Sequence, residues 1–447
     1  METRYNVKYN VNWVQDSSYL ENLSRLQSTN SFPDVIQFND TGDPTFTRAV
    51  EAGQIWDLTP YLKIGSGTYP NLDKLIPNAW MNSKYQGKNY VIPTSRGQYD
   101  SGIMVRGDVL KKYGLSLPKS IADFEAYFDA CVKENIIPVP IWIQKNVGNF
   151  QPAFGPGSMI PVYNADKTGV LPQQLTESYA LTVEWFASLY KKGYLPQEFA
   201  LIDSAQTENF LVTGKGGSYF KNGWHRYRLN DEIHKVLPTA EIVPVFYYSG
   251  PGGTRVWYDK GFYGGIAINK KVPEAKMLKI IEFFNATAAP ESVNYFQYGI
   301  PGIHHNVVDG FPKFTDQGAR EINNSTYIPF ILATTTYIKI DSPLAPPAYN
   351  LETREMVKVI DAEAAKLGVA PFNIFEIIGS KSFSAFWALN QDEFQSNVVD
   401  VITGKKTVAQ FRTYQQQLLA RPEVQAAARE YKESYDSFGL VNWKPAN

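Results

Sequence analysis

Ser31-Phe32-Pro33-Asp34-Val35-Ile36-Gln37-Phe38-Asn39-Asp40-Thr41-Gly42-Asp43-Pro44 is the stretch from which the fold is read. Pro33-Asp34 is a turn pair, and Val35 to Phe38 is a short apolar run with β-branched and aromatic side chains, the pattern of a buried strand. Asn39 to Asp43 follows as a loop. Asp43 is placed to cap a helix whose first residue is Pro44, where a missing N–H costs nothing. The helix ends near Gly53, which tolerates the left-handed conformation of a helix terminus. Strand, loop and helix in that order make half of a βαβ unit. In open α/β sheets a ligand sits beyond the carboxyl ends of the strands, which is where Asn39 and Asp40 fall. The competing reading is a loop Asp that only caps or turns.

Working outward, a chain of 447 residues is long enough to bury a large core and to split into two or three domains. Charged residues are 19% of the chain and aromatics 14%, so aromatic and uncharged polar side chains stand where charge is usual. The net charge of −1 comes with no basic block, which disfavours nucleic acid or an anionic membrane surface as partner. No apolar run approaches the roughly 18 residues that span a bilayer, and no signal-peptide pattern is read. Cys131 is the single cysteine, so no intramolecular disulfide forms. It lies in the helix expected over Ile121 to Glu134, as a core residue.

Arg4 to Val14 alternates as a strand does, and Asp16 to Gln27 reads as a helix. Ile103 to Arg106 is a further strand, followed by a short helix that Gly114 closes. Ser120 with Asp123 approximates a capping box. Thr176 to Lys192 is an amphipathic helix, Phe262 to Lys270 a strand, and Pro273 to Asn285 a helix. Asp341 to Tyr349, with three prolines, reads as a rigid surface loop. Thr407 with Gln410 forms a capping box, and Pro422 starts the last helix.

Several short phrases recur in a fixed order. They are Ser31 to Gln37; Gly53-Gln54-Ile55-Trp56-Asp57-Leu58-Thr59-Pro60-Tyr61; Gly87-Lys88-Asn89-Tyr90-Val91-Ile92-Pro93; Val105 to Leu115 with Pro118 and Ser120; Gly214 to Phe220 with Trp224; Tyr298-Gly299-Ile300-Pro301-Gly302; and Gly404 to Phe411. In this order they resemble the extracellular solute-binding proteins (family 1) of bacterial ABC importers, in the lipoprotein branch that captures sugars and oligosaccharides. The resemblance runs from about Val7 to the end. Members of that family carry a signal peptide, a lipid-accepting cysteine, a first strand and a first helix ahead of the segment matching Tyr5 to Val14. Only a few residues precede it here, so the expectation is a chain lacking its natural start or an amino-terminal lobe built differently.

The resemblance implies an α/β, two-lobed periplasmic-binding-protein-like fold of type II, with a ligand cleft between lobes joined by hinge strands. The expected lobes are residues 1–100 plus 261–300 and residues 101–260 plus 301–447. Crossings are expected near Gly97 to Ile103, near Trp257 to Phe262, and after Tyr298. Ligand would favour the closed form because only that form contacts it from both sides. The implied function is capture of an extracellular sugar or oligosaccharide and delivery to ABC permease subunits. The protein is then a monomer without cofactor or catalysis, held on the outer face of the cytoplasmic membrane by lipid.

A sugar site needs Trp or Tyr faces for pyranose C–H surfaces and fixed polar partners for hydroxyls. The stacking candidates are Trp224, Trp257, Tyr263 and Tyr298. The polar candidates are Asn39, Asp40, Arg96, Asp100 and His304. Trp13 and Trp142 are further aromatics within possible reach, and Trp56 is assigned to packing. Each aromatic has core packing as its alternative.

Rival readings are weaker. A glycoside hydrolase needs two facing carboxylates, and no paired motif stands out. His225, His234, His304 and His305 lack a zinc spacing. Asp166-Lys167-Thr168-Gly169 starts like a calcium loop without its later acidic ligands. No GxSxG occurs. The Gly214 to Gly217 loop lacks the spacing of a phosphate-binding loop. Peptide binding, or delivery of a signal to a sensor protein, stays open as an alternative.

Overall fold

In a computed structural model of the protein, the described residues are 2–8, 10–15, 18–75, 77–95, 101–256, 260–322, 342–367 and 374–438. They form two compact units. The first comprises Met1–Gln98 and Lys260–Thr353, the second Tyr99–Asp259 and Arg354–Asn447. The sequence reading ended the first lobe at residue 300. Here the described residues of 301–353 group with it, and the segment just after Tyr298 folds back on its own helix end. The His304 amide donates to the Ile300 carbonyl, and a ring nitrogen of His305 lies 2.8 Å from the Tyr298 carbonyl.

Among the described residues ten strands carry the sheets: β1 Val35–Phe38, β2 Ile92–Ser95, β3 Ser101–Arg106, β4 Ser218–Asn222, β5 Ile242–Val245, β6 Tyr247–Gly250, β7 Gly253–Val256, β8 Phe262–Ile268, β9 His305–Val308 and β10 Phe311–Phe314. In the first unit β8 lies between β1 and β2 and is antiparallel to both, so β1 and β2 run parallel with β8 inserted between them. The half βαβ unit read from the sequence is therefore completed around a strand more than 220 positions away.

Both faces of this sheet are covered. Ile266 and Ile268 pack with Leu58, Leu62, Leu72, Trp80 and the helix Glu274–Thr287 on one side. Ala267 packs with Ile36, Phe38, Phe46 and Leu23 on the other. The alternation along β8 is the period-two pattern of a strand. Asp43 caps the helix Pro44–Glu51 by accepting from the Thr45 amide at 2.7 Å. Trp56 donates its indole N–H to the Val272 carbonyl at 3.0 Å and packs on the core.

Two glycines make the sheet possible. Gly264 has φ +58°, and a Cβ there would sit 1.7 Å from the Phe38 carbonyl oxygen. At Gly265 a Cβ would sit 2.8 Å from the Ile92 oxygen. The one glycine presses on the carboxyl end of β1, the other on β2.

The second unit has the antiparallel sheet β4–β3–β5 and the hairpin β6–β7. Its helix Ile121–Lys133 starts at Ser120, whose hydroxyl accepts from the Asp123 amide at 3.1 Å. Gly217 lies against this helix: a Cβ would meet the Cys131 sulfur at 2.8 Å. The glycines at 216 and 217 thus serve packing. Arg106, 4% exposed, forms a two-pronged ion pair with Asp108 and donates to the Gly214 carbonyl at 3.2 Å. Thr407 and Gln410 form the reciprocal capping box expected from their spacing.

Two readings of local secondary structure also differ from the structure. Arg4 to Val14 does not form a strand: Glu2–Tyr5 is a short helix, and the described residues of 7–15 have no regular structure. Tyr5 instead packs edge-on against Phe283 at 5.7 Å and stacks with Phe296 at 6.3 Å. Aromatic packing there overrides the alternation. Pro347 is not part of a loop but opens the helix Pro347–Leu367, where proline fits the first turn. Asn350 then closes the preceding turn by bonding both backbone groups of Ser342.

Gly264→Ala is expected to destabilise the protein by about 3 kcal/mol or more, since strain and steric overlap add. Urea unfolding would read this, and a loss under about 1 kcal/mol would mean the strand can shift. Burial pushes the Cys131 thiol up to about 12, so almost no thiolate exists at pH 8. The folded protein should therefore resist a thiol reagent that labels it fully in denaturant.

Candidate functional site

The candidate site is built at the carboxyl end of β1. Asn39 and Asp40 follow the strand and are partly buried. The Gly42 amide donates to Asp40 Oδ1 at 2.9 Å, the turn that the competing reading anticipated. That turn is not the only interaction of Asp40. Lys260 Nζ lies 3.2 Å from the same oxygen, and the two side chains are 12% (Lys260) and 50% (Asp40) exposed. Gly264 brings β8 onto Asn39, whose Cα would be 2.7 Å from an added Cβ. Tyr263, the preceding residue of β8, is partly buried. Asn39, Asp40 and Lys260 therefore meet at one end of one sheet, with Tyr263 in the adjoining strand β8.

Lys260 is held from several sides. The Asn82 side chain, 0% exposed, donates to the Lys260 carbonyl at 2.8 Å. The ammonium lies 4.9 Å from the ring centroid of Phe262, a cation–π contact. Phe262 pairs with Ser95 at the end of β2. The sequence reading did not find Lys260. Its surroundings, Asp259-Lys260-Gly261, form no motif, and its partner Asp40 is 220 positions away.

Tyr298 ends the helix Pro290–Tyr298, with its ring 5.8 Å from that of His305. His304 is committed locally. Its Nδ1 accepts from the Ile300 amide at 2.9 Å, which leaves the ring proton on Nε2, facing Glu321 at 3.1 Å. Its geometry is that of a residue fastening the hairpin of β9 and β10. Trp224 lies in the 3-10 turn Gly223–His225 that follows β4, in the second unit. Arg96, Asp100 and Trp257 lie outside the described residues. Of the further aromatics, Trp13 is 75% exposed, and Trp142 stands just before the helix Ile143–Phe150.

Chemically, this end of the sheet offers a carboxylate acceptor, an ammonium donor, an amide that does both, and a phenol ring. That set suits a ligand rich in hydroxyls. Among the described residues no group of three His, Cys, Asp or Glu side chains could hold a metal ion. None of their helices is long and apolar enough to cross a membrane.

The two units, each with a small sheet wrapped by helices, are those of a two-lobed solute-binding protein. Solved structures of that class share the fold. An HMO-binding, ABC-transporter-associated solute-binding protein of Bifidobacterium longum infantis has a TM-score of 0.70 at 14% identity, covering 98% of this chain and 94% of that one. The N-glycan transport solute-binding protein NgtS of Streptococcus pneumoniae has 0.67 at 17%, covering 99% and 94%. The sequence pattern described as "Bacterial extracellular solute-binding protein" matches residues 1–293, and the chain belongs to that family. Among relatives from Bacillus subtilis (strain 168), lipoprotein LipO is 26% identical over 320 residues, 67% of this chain. The polygalacturonan/rhamnogalacturonan-binding protein YtcQ is 24% identical over 317 residues, 68% of this chain. The chain spans 62% of the length of each.

His304→Ala should lower stability by about 1–3 kcal/mol through loss of two hydrogen bonds while leaving ligand affinity unchanged. Paired thermal and binding measurements check this. A weaker affinity at unchanged stability would make His304 a ligand contact instead.

Proposed function

We propose that the protein captures an extracellular sugar or oligosaccharide and hands it to the permease of an ABC importer. The single observation that carries this reading is membership of the solute-binding family over residues 1–293. The polar set of Asn39, Asp40 and Lys260 supports it, because sugars need fixed donors and acceptors, and Tyr263 in the adjoining strand is the proposed aromatic face. So does YtcQ, a relative whose name records polygalacturonan and rhamnogalacturonan binding. In this reading the bound sugar leaves chemically unchanged and the protein works as a monomer. It acts outside the cell, tethered by lipid as the name of LipO suggests for that relative. Trp224 would supply a stacking face, and Arg96, Asp100, Trp257 and Tyr298 complete the proposed contacts. The proposed ligand-binding halves are those the resemblance implies, 1–100 with 261–300 and 101–260 with 301–447; the grouping of the described residues of 301–353 with the first favours moving that segment there.

Melting the protein against a panel of oligosaccharides tests the reading. A sugar that binds only the folded form stabilises it by about 2.7 kcal/mol at a hundredfold excess over Kd. At least one member of the panel should raise Tm, and mass spectrometry should recover that sugar intact. A rise with peptides and with no sugar would overturn the assignment.

A further inference from the structure

We propose that Lys260 and Asp40 act as one recognition unit for a vicinal diol of an uncharged sugar, with Lys260 the residue that sets this preference. The proposal rests on the sugar-binding reading above.

The geometry is that of a prepared donor–acceptor pair. Lys260 is not a mobile surface lysine: its side chain is 12% exposed, its ammonium sits over Phe262, and its carbonyl is fixed by buried Asn82. Phe262 is itself 1% exposed and locked in the ladder with β2. Asp40 is fixed from the other side by the Gly42 amide and by the approach of Gly264 to Asn39. Ordering these groups in advance removes the entropy cost that long side chains otherwise bring to binding.

Both protein donors, Lys260 and Gly42, fall on Oδ1 of Asp40. Oδ2 is left to accept from a ligand hydroxyl, and the ammonium, with three N–H bonds, has donors left for a neighbouring hydroxyl oxygen. Adjacent hydroxyls of a pyranose can present one donor and one acceptor to such a pair. The charge balance decides the class of sugar. The pair sums to zero, and the half-exposed carboxylate already satisfies the sheltered ammonium. A uronate would bring a second negative charge beside Asp40, and like charges at such range oppose binding. A neutral diol adds hydrogen bonds to charged groups without that repulsion.

Isothermal titration tests this with the neutral oligosaccharide that gives the largest melting shift and a galacturonate oligosaccharide of matched length. The wild-type protein should bind the neutral sugar at least about tenfold more tightly, with little change up to about 0.5 M salt. Lys260→Met and Asp40→Asn should each weaken neutral binding by about tenfold to a hundredfold. Lys260→Arg should restore most of it. Unliganded Tm should stay within about 2 °C for Asp40→Asn, which keeps the test valid if Lys260→Met proves unstable. Unchanged affinity in both Lys260→Met and Asp40→Asn would overturn the proposal and leave the sugar-binding reading standing. So would preference for the galacturonate with a steep fall in salt. Binding of neither sugar class would remove both readings.

Discussion

Strand β8 has to pass between β1 and β2 with its backbone almost touching the end of each, and glycine at 264 and 265 is what permits that approach. The rest of the first unit depends on this contact. With β8 in place, Ile266 and Ile268 seal one core and Ala267 the other. The same contact delivers Tyr263, and just before it Lys260, to the loop that holds Asn39 and Asp40. Fold and candidate site therefore share one constraint: a chain segment from the middle of the sequence must return to its beginning at van der Waals distance.

The second unit shows a similar economy. Its helix Ile121–Lys133 needs Gly217 beside Cys131, and buried Arg106 is met by both carboxylate oxygens of Asp108 and by the Gly214 carbonyl. Burial opposes ionisation of Asp108, but the Arg106 partner and the Glu241 amide outweigh it and hold its carboxyl below the usual range. A depressed carboxyl pKa supports the folded state above the unfolded-state value, near 4. That support is lost as pH falls through the lower folded-state value. The pair thus contributes stability at neutral pH and yields it as pH falls below about 4.

Much of the fold was legible in the sequence. Asp43-Pro44, Ser120 with Asp123, and Thr407 with Gln410 each announce a helix start through local hydrogen-bond chemistry, and each helix starts there. Local rules failed where a distant partner decides. Tyr5 and Val7 alternate like a strand, yet Tyr5 finds Phe283 and Phe296 from the far end of its unit. Within the candidate site, Asn39 and Asp40 were legible because they follow a recognisable strand. Lys260 was not, because nothing adjacent to it in sequence encodes a pairing across 220 positions. His304, read as a polar ligand candidate, has its two ring nitrogens facing the Ile300 amide and Glu321.

The account turns on the carboxyl end of β1 as the place where sugar hydroxyls are held. The most direct measurement is a crystal structure of the protein with the oligosaccharide that stabilises it most. The account predicts ring hydroxyls within hydrogen-bond distance of Asp40 and Lys260, about 2.6–3.2 Å. A well-ordered sugar bound elsewhere, with the Asp40–Lys260 pair untouched, would contradict it.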